Sequence, residues 1–187
     1  MQEKTLVLVK PDGVKRALIG RVISKFEDAG LKVVALKMVL PTKELAEKHY
    51  PLDEEWYTNA WKNTKKGYDE KGIEFKETPL QLGTRVRGWL VEALTSGPVV
   101  AMVIEGNDAV AAVRKLAGAT APNRADPSTI RGMYSTDSYD LSDSKKRVLK
   151  NVVHASDSVP NANKEISVWF GGKEIISYDR ADAEALY

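Results

Sequence analysis

The sequence contains no cysteine, which excludes disulfides, thiolate catalysis and Cys-ligated zinc. Histidine is scarce as well: His49 and His154 are the only two and stand too far apart in the chain for a His-rich metal centre. No apolar run approaches the roughly 20 residues that a membrane helix requires. The opening MQEKTLVLVKPDG has neither a signal-peptide apolar core nor a small-residue cleavage site. A cytoplasmic protein without a membrane partner is therefore expected. An excess of one charge is also missing, since 28 basic residues face 26 acidic ones for a net charge of +2. That balance suits anionic small molecules and gives no nucleic-acid-binding stripe by itself. Two common phosphate cradles are absent too, the G-x-x-x-x-G-K-[ST] loop and the strand-borne G-x-G-x-x-G turn. Any phosphate must be held by side chains.

What is present is ordinary globular material: 43% of residues are hydrophobic and 29% charged, enough for a real core. The length suits one domain spanning 1–187. TLVLVK at 5–10 is a β-rich run stopped by Pro11-Asp12-Gly13, where Asp12 could cap a following helix. Val14, Leu18, Ile19, Val22, Ile23 and Phe26 then repeat at helical spacing up to Gly30. Residues 31–40 form a second strand, and Pro41-Thr42 opens a short helix towards His49 and Tyr50. Residues 51–79, dense in charge and carrying Trp56, Tyr57 and Trp61, suggest an inserted, partly helical surface segment. Leu82, Val86, Trp89, Leu90 and Leu94 mark an amphipathic helix, PVVAMVIE at 98–105 a buried strand, and Asn107 the cap of a helix ending at Gly118. Residues 119–128 and 134–150 read as loops, EISVWF at 165–170 as the last strand, and 171–187 as a weakly patterned tail. The order predicts an α+β, ferredoxin-like βαββαβ fold: an antiparallel four-stranded sheet with helices on one face, plus an extra helical insertion.

The candidate phosphate ligands stand at the ends of these elements: Lys10, Arg114, Thr120, Arg131, Asn151 and His154. Arginine can donate two bonds to one phosphate and stays charged. A neutral imidazole is nucleophilic at working pH, so His154 could accept a phosphoryl group directly. Small Ala155 and hydroxyl-bearing Ser156 leave its ring accessible, and Glu165 could reach back to orient it. Each residue also has a plainer structural reading. Lys10 could end an edge strand in solvent, Arg114 could serve a helix dipole, and His154 could pack at a strand edge.

The ordered blocks TLVLVKPDGVKR, His49-Tyr50, LTSGPVVAMVIEG, VRKLAGAT, TIRG and NVVHASDS followed by KEISVWF resemble the nucleoside diphosphate kinase family. The longer loops and the HAS motif look most like its archaeal-type members. The resemblance implies that the chain moves the terminal phosphoryl group from a nucleoside triphosphate to a nucleoside diphosphate in ping-pong fashion, with His154 as carrier and Ser156 and Glu165 in support. Lys10 and Asn151 would bind the sugar hydroxyls, Lys10 also nearing the transferred phosphate. Tyr50, Arg114, Thr120 and Arg131 would surround the phosphates. Mg²⁺ would arrive on the nucleotide, with no protein-built metal cage, and a homo-oligomer would form, a hexamer by preference with a dimer or tetramer as the alternatives.

Three positions depart from the family pattern. The aromatic that stacks on the base falls at Val86, with Leu90 one turn on and Val148 as the apolar residue across the base. GTIRGDF is here STIRGMY, with Ser128 and Met133 replacing glycine and aspartate. A nucleic-acid-binding module on the same fold lacks support because no exposed aromatic-basic strand motif is present. A catalytically weak relative is the other alternative.

Overall fold

The computed structural model describes residues 2–186, with side chains described as far as Glu184. Strand β1 (Gln2–Val9) leads through the single turn α1 (Pro11–Val14) and helix α2 (Ile19–Asp28) to β2 (Lys32–Val39). Three helices follow: α3 (Lys43–His49), α4 (Glu54–Asp69) and α5 (Pro79–Thr95). Strand β3 (Val99–Asn107) precedes α6 (Ala109–Ala117) and the short helices α7 (Ile130–Tyr134) and α8 (Tyr139–Ser144). Strand β4 (Val153–Ala155), α9 (Val159–Trp169) and α10 (Ala183–Leu186) complete the order. The sheet runs β2-β3-β1-β4 with antiparallel neighbours, the expected ferredoxin-like arrangement.

The expectation of helices on one face needs correction. Crossover helices α2 and α6 do share a face, where Val22, Phe26, Val113 and Ala117 meet Val7, Val9, Val100, Met102 and Ile104. The other face is covered as well: Ala46 of α3, Val91 and Leu94 of α5, and Ile166 and Trp169 of α9 pack on Leu6, Leu8, Ala101 and Val103. The physical reason is legible in the central strands, whose side chains are apolar on both sides and so require cover on both.

The last strand is also corrected. Residues 165–170 lie mostly in α9, and the fourth strand is Val153–Ala155. Ser158 caps α9 by accepting the Asn161 N–H, Pro160 lies in its first turn, and Ala162, Ile166 and Trp169 are buried at helical spacing. That periodicity overrides the strand preference of Ile166 and Val168, while Phe170 lies extended just after the helix.

Smaller revisions follow the same logic. Asn107 ends β3, and Asp108, at φ 46°, takes the place before α6. Pro11 opens α1 after Lys10, while the Asp12 carboxylate accepts the Val152 N–H at 3.0 Å. The helix beginning near Val14 is broken at Ala17, whose φ is 56°. Residues 134–150 are not loop throughout, because Ser138 caps α8. Within 51–79, α4 buries no residue fully and lies on α5 so closely that a Cβ on Gly83 would stand 2.4 Å from Tyr57 Cβ. The tail straps β2, with the Ile176 N–H bonded to the Val34 carbonyl at 2.8 Å.

Candidate active site

His154 is the middle residue of β4 and pairs with Leu8 of β1. Its neighbours Val153 and Ala155 point into the core beneath α2 and α6, so strand alternation turns the imidazole to the opposite face. There α3 and α9 meet it. His154 Nε2 lies 2.9 Å from Glu165 Oε2, and Ser156 Oγ donates to the same oxygen at 2.5 Å. A carboxylate only accepts, so the imidazole proton belongs on Nε2 and the Nδ1 lone pair is left outward. Both side chains keep about a fifth of their surface, 20% for His154 and 19% for Glu165. Ser156 is fully buried, tied to β1 by the Leu6 N–H at 3.3 Å.

Against this ring the C-terminus of α3 places two aromatic residues. The His49 ring meets His154 edge-on with centroids 4.5 Å apart, and the Tyr50 ring lies at 6.4 Å. His49 is 4% exposed. Burial, and secondarily the nearness of His154, hold its pKa well below the ordinary imidazole value, so it is neutral. Trp169 Nε1 donates to His49 Nδ1 at 3.3 Å, which assigns the proton to His49 Nε2, an atom with no other partner in the described residues. Burial and the Glu165 charge raise the pKa of Tyr50, whose phenol remains a donor.

The cations approach from the end of β1 and from α7. Arg131 donates to the Gly118 carbonyl at 2.7 Å and the Val153 carbonyl at 2.9 Å, and burial, followed by the charge of Arg114, lowers its pKa to about 10. Lys10 donates to Asn151 Oδ1 and to the Leu149 carbonyl, with its pKa pushed down to about 8 by burial. Asn151 in turn donates to the Thr120 carbonyl at 2.7 Å. Lys10, Asn151, Thr120, Arg131, Tyr50, His154, Ser156 and Glu165 are thus joined around β4. Arg114 and Thr120 keep exposed side chains. Arg114 lines a wide, open groove with Glu3, Asp108 and Asp157 that does not include His154. Val86, Leu90 and Val148 are half-buried and lie outside this network of hydrogen bonds and ring contacts.

Three contributors were not legible as site residues. Asp137 is buried and accepts from Arg147 at 2.5 Å, the Lys150 N–H at 2.7 Å and the Ser138 N–H at 3.0 Å. Burial opposes its charge, yet these bonds hold its pKa below the ordinary value, and they brace the chain just before Asn151. Val152 has φ 67°, a conformation that costs a β-branched residue about 1–3 kcal/mol. Its N–H is held by Asp12 and its carbonyl by the Lys10 N–H at 2.8 Å, so Asn151 and His154 face different partners. His49 was visible only as half of the His49-Tyr50 pair.

Among the described residues, one group of three side chains could approach a metal: His49, His154 and Glu165, with ligand atoms within 4.8 Å. Two nitrogens and one oxygen are a poor set for Mg²⁺, which prefers oxygen. The Trp169 bond, moreover, leaves a proton on the free nitrogen of His49. The residues fit a metal that enters on phosphate oxygens.

Residues 3–67 and 84–175 match the family model described as nucleoside diphosphate kinase. A protein of that name from Pyrobaculum aerophilum is 49% identical over 179 residues, covering 93% of this chain and 98% of the relative. A crystal structure of an NDP kinase from the same organism superposes with a TM-score of 0.89 at 47% identity, covering 95% of this chain and 100% of that one. A Borrelia burgdorferi nucleoside-diphosphate kinase, solved as a transition state mimic with vanadate and ADP, gives a TM-score of 0.78 at 40% identity, covering 97% and 94%.

Proposed function

The chain belongs to the nucleoside diphosphate kinase family, enzymes that transfer phosphate between nucleotides, and we propose that it does so through a phosphohistidine at Nδ1 of His154. The Nδ1 lone pair attacks the γ-phosphorus in line; the N–P bond forms as the bond to the β-phosphate bridging oxygen breaks, and the diphosphate leaves. Positive charge appearing on the ring is balanced by Glu165, which already holds the Nε2 proton. The β-phosphate oxygen of the acceptor diphosphate then attacks phosphorus, the N–P bond breaks, and the neutral ring returns. Arg131, Lys10 and, from the rim, Arg114 offset charge on the phosphoryl oxygens, the main demand of this chemistry. Asn151 and Lys10 bind the sugar hydroxyls, Thr120 and Tyr50 close on the phosphates, and Val86, Leu90 and Val148 form an apolar slot for the base. A slot without a stacking aromatic or a hydrogen-bonding code gives low base selectivity.

Family members use a divalent metal with the nucleotide; Mg²⁺ is the proposed ion, carried by the phosphates. No helix among the described residues is long and apolar enough to cross a membrane, and a cytoplasmic setting is proposed. A homo-oligomer, hexameric by preference, is proposed; association is supported by Leu36 and Met38 of edge strand β2 and Leu40 just beyond it, which alternate outward with 52%, 58% and 72% of their surface exposed. Both cores share one sheet, in keeping with a single domain at 1–187. The family match skips 68–83 and includes 51–67, so the skipped stretch overlaps only the later part of the insertion proposed at 51–79.

The observation that carries the reading is the His154 Nε2–Glu165 bond, which points Nδ1 outward. Incubation with γ-labelled ATP and Mg²⁺ should leave an acid-labile label on the protein that GDP removes. A chain that never takes up label would overturn the assignment.

A further inference from the structure

Helix α3 ends at His49, with Tyr50 as its cap and Pro51 directly after. The last carbonyls of a helix have no partner within it, and here they belong to the segment that carries both rings facing His154. Among the described residues one side chain from another element reaches them. Arg87, on α5, donates from Nε to the Tyr50 carbonyl at 2.7 Å and from Nη2 to the Glu47 carbonyl at 3.4 Å. Its Nη1 stands 4.0 Å from the Glu47 carboxylate. A guanidinium suits this task because its rigid fork spans two acceptors, and its charge complements a helix C-terminus.

We propose that Arg87 is a positioning residue for phosphoryl transfer, setting how closely His49 and Tyr50 approach the His154 ring by clamping the C-terminal turn of α3 to α5. The inference rests on the assignment of His154 as phosphoryl carrier. Among the described residues His49 has no side-chain hydrogen bond other than the one from Trp169, so the direction of its Nε2–H depends on where the α3 backbone ends. Tyr50 depends on the same turn, since its own carbonyl is the atom Arg87 holds. Among the described residues Arg87 forms no hydrogen bond or ion pair with Lys10, Asn151, Arg131 or Thr120, so it reaches the site through the α3 turn that carries His49 and Tyr50. A shift of the order of 1 Å in such a group slows a reaction by about ten- to a hundredfold.

The test compares wild type, Arg87→Met and Arg87→Lys at a temperature well below all three unfolding midpoints. Single-turnover uptake of label from γ-labelled ATP should fall about tenfold or more in Arg87→Met, a larger factor than any change in KM for nucleotide. Arg87→Lys, which can still reach the Tyr50 carbonyl, should recover part of the rate. With only two histidines in the chain, imidazole ¹H–¹⁵N spectra resolve both rings, and the signals of His49 and His154 should move in Arg87→Met. Wild-type uptake and unmoved His154 signals in a folded Arg87→Met protein would overturn the proposal. Failure of the wild type itself to label would overturn the phosphohistidine assignment instead.

Discussion

The nucleophile end and the outer helical layer are built on different principles. Around β4 almost every polar group is shared: Glu165 serves His154 and Ser156, Asn151 links Lys10 to Thr120, and Arg131 ties Gly118 to Val153. These bonds are partly or wholly buried, where a lost partner leaves an unsatisfied group costing about 1–3 kcal/mol. Around α4 the links are peripheral. Lys71 pairs with Asp140 of α8 at 2.5 Å with both side chains more than half exposed, and Arg85 forks onto Glu77 at 2.8 and 2.6 Å beneath the Trp89 ring. Exposed pairs contribute little and weaken with salt. The contrast teaches that the groups around β4 are given a fixed frame, while the outer helical layer is left adjustable.

The sharpest way to break the contrast is His154→Ala, which should lower transfer by at least about a thousandfold while the unfolding midpoint, followed by circular dichroism, stays close to wild type. Glu165→Gln comes next. An amide can accept from either His154 or Ser156 but no longer balances charge on the ring, so a rate loss of about a hundredfold is expected in stopped-flow transfer assays. A loss below threefold would remove Glu165 from the mechanism.

A third test uses pH. Lys10 is charged below about 8 and neutral above it, so nucleotide affinity should fall as pH rises through that value, with KM rising up to about tenfold per unit. Lys10→Met should bind weakly throughout and lose this limb. Arg131, at about 10, keeps its charge over the same range and does not mimic the effect.

In the outer layer, Gly83→Ala drives a methyl into Tyr57 and should destabilise the α4–α5 packing by about 1–3 kcal/mol. Hydrogen exchange should show α4 loosened while His154 still takes up label. Lys71→Ala should be the mildest change, shifting the unfolding midpoint by no more than about two degrees, less at high salt. A large loss of phosphorylation in either variant would mean that the outer layer is part of the rigid frame.

The residues of the frame were legible in the sequence while their geometry was only half so. N-x-x-H-A-S and the glutamate eleven residues later identify His154, Ser156 and Glu165 as a group, but EISVWF has a strand's composition, and only the Ser158–Pro160 entry and the 162/166/169 spacing make it helical. That error removed a helix from the face where the imidazole lies. Asp137 and Arg147 could not be paired from sequence, since the stretch between them reads as a loop and conceals the short helix α8. Val152 is harder still: left-handed backbone is written in sequences as glycine or asparagine, and here contacts from Asp12 and Lys10 impose it on a valine. The elements with strong period or strong stops, β1, β3, α5 and α6, were legible to within a few residues.

Strand β4 is three residues long, and its brevity has a consequence of parity. A shift of one position would carry the imidazole through the sheet to the side of Phe26 and Val113 and bring a valine or an alanine to the phosphate side. Point substitutions near β4 therefore grade the activity, whereas an inserted or deleted residue that changes its register extinguishes it outright.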